Sequence, residues 1–521
     1  MGLSKEIFTH MAIYSFASML GRLISFVMLP FYAAIFRAEG YGVIALIDAT
    51  LGVLSIMFAS GFHVAILSIY HQESDGKKGR VISTAIRLVW GGGLAAIVIP
   101  MMFSAQLSRM LLGGEQYSVC FLLALINFLI DVGGQSASTS MIIKQQSILY
   151  SGVNLVKLVV GLTLNIWLVL ILEVGIIGVF ITSLITTLVG SGAFLFAAIK
   201  EHGIGYDKEV AKKLLRFQLP LIPGELVSFL SRQAEVYLIR FVMDVRAVGV
   251  LEMAYKFPPL LNLFISFPFT LAWRTKAFEI AEQHQQAPRI IAQMFTKYFF
   301  AMVFAGVVLA VSMEDLLKIV TPPEFWEAAR IARIEIVTTI MAGVNSLLAF
   351  GLLYRKRTDI ISAVKIAMAI VKFPLAFLMI VRFHLAGAAY SALIVEAMAI
   401  CAFLHQSQKH YRIDYEYPKL IVISSYGLLI YVLIVNGAVL QLFDMASLRE
   451  LMTELVTGVV GLAPLGGEES GKLLNRVLNK QDSVISLIIS ICSSSMSLIA
   501  VPLLARGIQI AKERRIAIGS T

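Results

Sequence analysis

Apolar residues run along this chain in long blocks from Phe8 to Gln509, separated by short polar breaks. Each block holds about 20 to 30 residues, enough to cross a ~30 Å hydrocarbon layer as a helix. The pattern predicts spans near 10–36, 41–70, 81–104, 117–143, 147–172, 175–199, 214–243, 247–273, 290–320, 328–354, 360–381, 386–406, 418–442 and 483–508. That is about fourteen helices, and the expected class is an all-α polytopic membrane protein.

The interruptions carry more information than the blocks. Arg22, Asp48, Asp131, Lys157, Arg232, Lys256, Lys372 and Glu396 all sit inside apolar stretches. A charge at membrane depth costs roughly 2.5–3.5 kcal/mol on insertion scales, so such side chains face a wet or paired interior. A transporter with a charged interior is the expectation.

Composition agrees. The 521 residues are 58% hydrophobic and 15% charged, against about 25% charged in soluble chains. The three cysteines, Cys120, Cys401 and Cys492, lie far apart in apolar stretches and suggest neither disulfides nor a zinc site. The first span is too long for a signal peptide and contains Arg22, so it is expected to stay in the mature protein. The formal net charge is +10. With the N-terminus placed in the cytoplasm, Lys and Arg at the inner ends outnumber those outside by roughly two to one, as the positive-inside rule requires. Both termini are then cytoplasmic, and the charge surplus needs no nucleic-acid partner.

The break at 200–213 divides six spans from the rest. The segments flanking it begin alike, with Gly21-Arg22-Leu23-Ile24-Ser25-Phe26 in the first span and Gly224-Glu225-Leu226-Val227-Ser228-Phe229 in the seventh. Each leads to a short turn and then Gly-Val, at Gly42-Val43 and Gly249-Val250. An even number of spans per half implies two lobes of the same orientation, related by an axis along the membrane normal. The expected organisation is two pseudo-symmetric six-helix lobes, an N-terminal lobe over 1–199 and a C-terminal lobe over 214–406, joined by a cytoplasmic linker at 200–213. Residues 407–521 would add two further spans. Between them, 443–482 reads as a periplasmic loop, because its apolar part is too short and too rich in Gly and Pro to cross.

Candidate site residues follow from the buried charges. Glu225, Arg232 and Glu235 share one face of the seventh span. That span opens at Pro220-Leu221-Ile222-Pro223-Gly224, where missing backbone donors favour a hinge. Glu252 and Lys256 are placed to pair with each other along one helix. Lys365 and Lys372 share a face and cannot neutralise one another, so carboxylates or an anionic ligand must meet them. The deep bases Arg22, Lys157, Arg232, Lys256 and Lys372 nearly balance the deep acids Asp48, Asp131, Glu225, Glu235 and Glu396. A cationic lumen therefore requires that some acids pair structurally while the bases face the cavity. The competing reading is that these charges pair with one another and only hold helices together. There is no Walker A loop and no metal-ligand spacing, so neither an enzyme site nor a cofactor or metal is expected.

The chain resembles the Wzx-type O-antigen and exopolysaccharide flippases, the polysaccharide transporter branch of the multidrug/oligosaccharidyl-lipid/polysaccharide (MOP) exporters. The resemblance rests on Gly21 to Phe26 running into Glu39-Gly40-Tyr41-Gly42-Val43, and on Leu219 to Gly224. It continues in Val248-Gly249-Val250 with Ala254-Tyr255-Lys256, and in Ala272-Trp273. Two features depart from the family pattern. Ser231-Arg232-Gln233 stands where an Asp-Arg pair is common, and Arg274-Thr275-Lys276 follows the Ala-Trp where a proline is usual.

The resemblance implies a two-lobed bundle that moves an undecaprenyl-pyrophosphate-linked oligosaccharide across the bacterial inner membrane by rocking between two states. Arg22, Arg232, Lys256, Lys372 and Lys157 would be the anion-binding set. Asp48, Asp131, Glu225, Glu235 and Glu396 would pair with them or couple transport to a proton or sodium gradient, and Pro220, Pro223 and Gly224 would form the hinge. Expected partners are a polysaccharide polymerase and a chain-length regulator. The rivals are a cation-coupled multidrug exporter of the same superfamily, a membrane-embedded polymerase or glycosyltransferase, and a peptidoglycan-precursor flippase.

Overall fold

The computed structural model describes residues 2–58, 62–220, 222–284 and 286–435, with side chains from Met28 onward in the first helix. The expected loop at 443–482 and the last span at 483–508 lie outside this range. Every regular element among the described residues is helical. Ten helices are long and apolar enough to cross a membrane, and Tyr417–Val432 is a shorter apolar one. The protein is thus an all-α multi-pass membrane protein, with ten such spans among the described residues against the fourteen expected along the whole chain. The expected seventh span is helical but falls outside the ten. It carries Glu225, Arg232, Glu235 and Arg240 in a single helix, Ile222–Val242, too many charges for an apolar window.

The chain divides into two compact units, Met1–Glu252 and Met253–Thr521. The first contains α1 (Gly2–Phe58), α2 (Phe62–Gln72), α3 (Asp75–Met102), α4 (Ser118–Ile143), α5 (Ser147–Asn165), α6 (Ile176–His202), α7 (Lys208–Gln218) and α8 (Ile222–Val242). Helix α9 (Val245–Ala254) runs across the division. Helix α4 packs on α6 and α3, while α1 packs on α8. Phe121, Leu125, Ile66, Ile82 and Leu214 are fully buried in this unit.

Helix α1 is broken at Arg37, whose φ of 56° and ψ of −176° are non-helical. A positive φ is uncommon for a residue with a side chain, so the two expected spans 10–36 and 41–70 meet at a sharp turn. The second Gly-Val segment follows the equivalent junction between α8 and α9. The two segments touch one another. A methyl group at Gly42 would land on the carbonyl oxygen of Val245, and one at Gly249 would land on that of Ala38. Gly42 and Gly249 are separated by the same sequence offset as Ala38 and Val245. The contact is therefore reciprocal, as at a local two-fold axis. A glycine opposite the partner's carbonyl on each side lets the two helix backbones approach within reach of Cα–H···O contacts.

The linker is itself partly helical. Asp207 caps α7, accepting from the backbone N–H groups of Glu209 (2.9 Å) and Val210 (3.2 Å). These bonds, Val210 first, hold its carboxyl below the usual range, with Lys77 and Arg80 adding to the effect. Helix α7 buries Val210, Ala211, Leu214 and Gln218, and it exposes Lys208, Glu209, Lys212, Lys213 and Arg216 together with Leu215 and Phe217. The Asp207 N–H donates to Thr84 Oγ1 (3.0 Å), and Lys213 pairs with Glu73. This surface helix ends before Pro220, so the membrane helix starts at Ile222 and not at 214.

The second unit contains α10 (Phe267–Gln283), α11 (Ala287–Val320), α12 (Ala328–Leu348), α13 (Thr358–Phe383), α14 (Leu385–His410) and α15 (Tyr417–Val435). Helix α14 packs on α13 and α12, and α11 packs on α12 and α15. One core gathers Trp273, Phe295, Phe350, Phe403 and Tyr415, with the Phe295 and Tyr415 rings edge to face at 4.9 Å.

Candidate functional site

In the first unit three helices bring one polar cluster together. Asp131 on α4 lies 3.8 Å from Lys157 Nζ on α5. Its Oδ1 accepts from Ser191 Oγ on α6 (3.0 Å), and its Oδ2 accepts from Gln135 Nε2 one turn along α4 (2.7 Å). Small residues make this possible. The stem of Lys157 lies against Gly190, and Ser191 sits against Gly134, where a methyl would collide with it. Asp131 and Lys157 keep side-chain exposures of 32% and 36%, so neither is sealed off by the helix packing. Below them, Asn127 donates to Ser183 (3.0 Å). The expected Asp131 and Lys157 are thus partners. Gln135 and Ser191 were not expected, although Gln135 is one helical turn from Asp131 and on its face.

Helix α8 carries Glu225, Arg232 and Glu235. Glu235 is buried, with 2% exposure, and it has an interaction partner, as do Asp48 and Lys256. Glu225 is half-buried, while Asp48 on α1 and Lys256 are exposed. Asp48 and Glu252 both act electrostatically on Tyr41, which places two acids around one phenol. Tyr237 on α8 meets Thr50 of α1 at 3.2 Å between hydroxyl oxygens. Arg22 and Arg232 lie on described helices, but their side chains are outside the described set. Pro223 and Gly224 fall in the first turn of α8, and Pro220 lies in the α7–α8 junction. Proline is favoured near a helix start because its missing N–H is not needed there.

The second unit builds a second cluster. Asn345 on α12 donates its Nδ2 to Glu396 Oε2 (2.5 Å) on α14 and also to the Glu396 carbonyl (3.2 Å). Lys372 on α13 acts electrostatically on the Glu396 carboxyl. Asn345 is 6% exposed, and its Oδ1 has no hydrogen-bond partner. Glu396 therefore sits between an amide from one neighbouring helix and an ammonium from another. Lys365, two turns from Lys372 along the same face of α13, is exposed. Asn345 went unnoticed in the sequence, although a lone amide in an apolar stretch is a usable signal. No group of three or more His, Cys, Asp or Glu suited to a metal occurs among the described residues.

Comparison with known proteins places this architecture. A solved lipid II flippase, MurJ, in an inward closed conformation superposes with TM-score 0.66, covering 93% of this chain and 98% of that one at 13% identity. An inward-facing multidrug resistance MATE family transporter of the MOP superfamily superposes with TM-score 0.54, covering 80% and 99% at 13% identity. A MATE protein in complex with MaD3S gives TM-score 0.51 over 78% and 94% at 13% identity. At such identities the likeness speaks to the fold and not to the substrate. No curated protein sequence matches the chain. The family model described as "Polysaccharide biosynthesis protein" matches residues 8–273, just over half the chain. That stretch contains the Gly-Val pair, the Asp131 cluster and helix α8, in agreement with the resemblance read from the sequence, and the chain belongs to the polysaccharide biosynthesis protein family, built on the fold of MOP-superfamily membrane transporters.

Proposed function

We propose that this protein moves undecaprenyl-pyrophosphate-linked oligosaccharide units from the cytoplasmic to the periplasmic leaflet of a bacterial inner membrane, for assembly of a surface polysaccharide. The observation that carries the reading is the match to a polysaccharide biosynthesis family in a chain whose membrane helices hold ionisable side chains. Pyrophosphate cannot cross hydrocarbon unaided. Arginine can grip it bidentately and lysine as a point charge. Arg22, Arg232, Lys256, Lys372 and Lys157 are the proposed anion-binding set. Lys157 and Lys372 face Asp131 and Glu396 in the present state, which suits bases that exchange a protein carboxylate for a substrate phosphate. Asp48, Asp131, Glu225, Glu235 and Glu396 would pair with these bases or carry a coupling proton or sodium ion. Pro220, Pro223 and Gly224 would form the hinge at the entry to α8. The six-plus-six lobe organisation with a linker at 200–213, cytoplasmic termini, and a polymerase and chain-length regulator as partners belong to the same proposal.

The test is complementation of a deletion strain at normal expression. Arg232→Ala and Lys372→Ala are expected to abolish surface polysaccharide while the proteins remain in the membrane. Unchanged polysaccharide in both would remove them from the site. Dye efflux from cells expressing the protein would favour a drug exporter instead.

A further inference from the structure

A slot of about 560 Å³ opens in the second unit between α11, α12, α14 and α15. Its walls are hydrocarbon, with Val303 from α11, Met341 from α12, Leu393 from α14 and Leu428 from α15 among them. Phe299 and Met341 also line a neighbouring, wholly apolar cavity of about 270 Å³, so the apolar volume extends further along α11 and α12. The volume is within the range of about 300–1,000 Å³ usual for ligand sites.

The charged groups lie at one end. Arg330 and Arg333 both line the slot in the first two turns of α12, and no acidic residue lines it. Arg333 is held in place. Its Nε donates to the Ala310 carbonyl (3.1 Å) and its Nη2 to Glu314 (3.2 Å). Arg330 is exposed, and no carboxylate bridges to it among the described residues. Tyr390 and Tyr431 add two hydroxyls to the lining. The short connector before α12 and the start of α14 place these groups toward one membrane surface, where arginine and tyrosine side chains favour the headgroup layer.

A slot with a cationic mouth and hydrocarbon walls is complementary to an anion that carries an alkyl chain. A free phosphate would leave the walls unfilled, and an apolar molecule would leave Arg330 unused. We propose that this slot binds an anionic phospholipid of the surrounding bilayer, with its phosphate at Arg330 and Arg333 and an acyl chain along α11 and α12. The proposal is independent of which substrate the protein carries.

The test is native mass spectrometry of the purified full chain, titrated with phosphatidylglycerol, phosphatidylcholine and undecaprenyl phosphate. One phosphatidylglycerol is expected to stay bound, in preference to phosphatidylcholine. Arg330→Ala should weaken it by about tenfold, the size of one charge-assisted hydrogen bond, and Leu393→Trp should displace it by filling the slot. Arg330 is exposed, so its removal leaves the fold intact, and a monodisperse Arg330→Ala protein checks this. Equal retention of phosphatidylcholine would overturn the assignment, as would unchanged binding in Arg330→Ala. So would displacement of phosphatidylglycerol by undecaprenyl phosphate, or a photoreactive group at position 393 that captures residues 436–521 of the chain and not lipid.

Discussion

Adding one methyl group at Gly42 tests the reciprocal helix contact directly. The ideal position of an alanine Cβ there lies 1.9 Å from the Val245 carbonyl oxygen and 3.0 Å from the Gly249 nitrogen. Both obstacles are backbone, so no side-chain rotation can relieve them. Alanine is favoured over glycine in a helix by about 1 kcal/mol, which works in favour of the variant. Against this stand overpacking, typically about 1–3 kcal/mol, and lost Cα–H···O contacts of roughly 0.5–1 kcal/mol each. The net expectation for Gly42→Ala is destabilisation by about 1–3 kcal/mol once the smaller terms nearly cancel. Gly91 and Gly192, on α3 and α6, have nothing within 4 Å of the same position, so Gly91→Ala and Gly192→Ala should be neutral or stabilise by up to about 1 kcal/mol. Because Gly42 and Gly249 share one contact, their alanine variants should be non-additive, the double costing less than the sum. Thermal unfolding of purified protein in detergent measures all five variants. A Gly42→Ala protein as stable as Gly192→Ala would refute the close approach of α1 and α9.

Three other outcomes follow from the two polar clusters and the linker. Asp131→Asn with Lys157→Gln removes a half-exposed ion pair worth about 0–1 kcal/mol, so stability should hold. Loss of surface polysaccharide in that stable double variant would show that the charges act in transport, and retained polysaccharide would make the pair a structural one. Asn345→Leu takes the amide donor from the Glu396 carboxyl and leaves it only the Lys372 charge, which should cost about 1–3 kcal/mol in thermal unfolding, whereas Glu396→Gln should be better tolerated. Asp207 has a carboxyl held below its usual range by capping α7, so its contribution is present above the ordinary aspartate value of about 3.9. It is lost as pH falls through the lower folded value. The protection factor of the α7 amides, their exchange rate normalised to the intrinsic rate at each pH, should fall on acidification in the wild type, while Asp207→Ala should already show reduced protection at neutral pH; equal protection in both would remove the cap from the account.

The apolar pattern of the chain is enough to give the fold class and to single out the charges lying within the membrane helices. Long apolar blocks allow only helices in a bilayer, since every backbone polar group must be satisfied within its own segment. Charges inside those blocks, such as Asp131, Lys157, Lys372 and Glu396, stand out because their insertion is costly. What the tertiary structure alone decided was which charge meets which. Asp131 with Lys157 and Ser191, and Glu396 with Asn345, are set by helix packing between segments distant in sequence, and a helical period cannot encode that. The linker also needed the fold. Only the face that α7 buries against α2 and α3 shows that 208–218 is a surface helix and not the start of a span. The two Gly-Val segments were legible as a repeat in the sequence. That they press against each other, backbone to backbone, could be learned only from the folded chain, because close approach is a property of two surfaces and glycine marks a place where it is permitted.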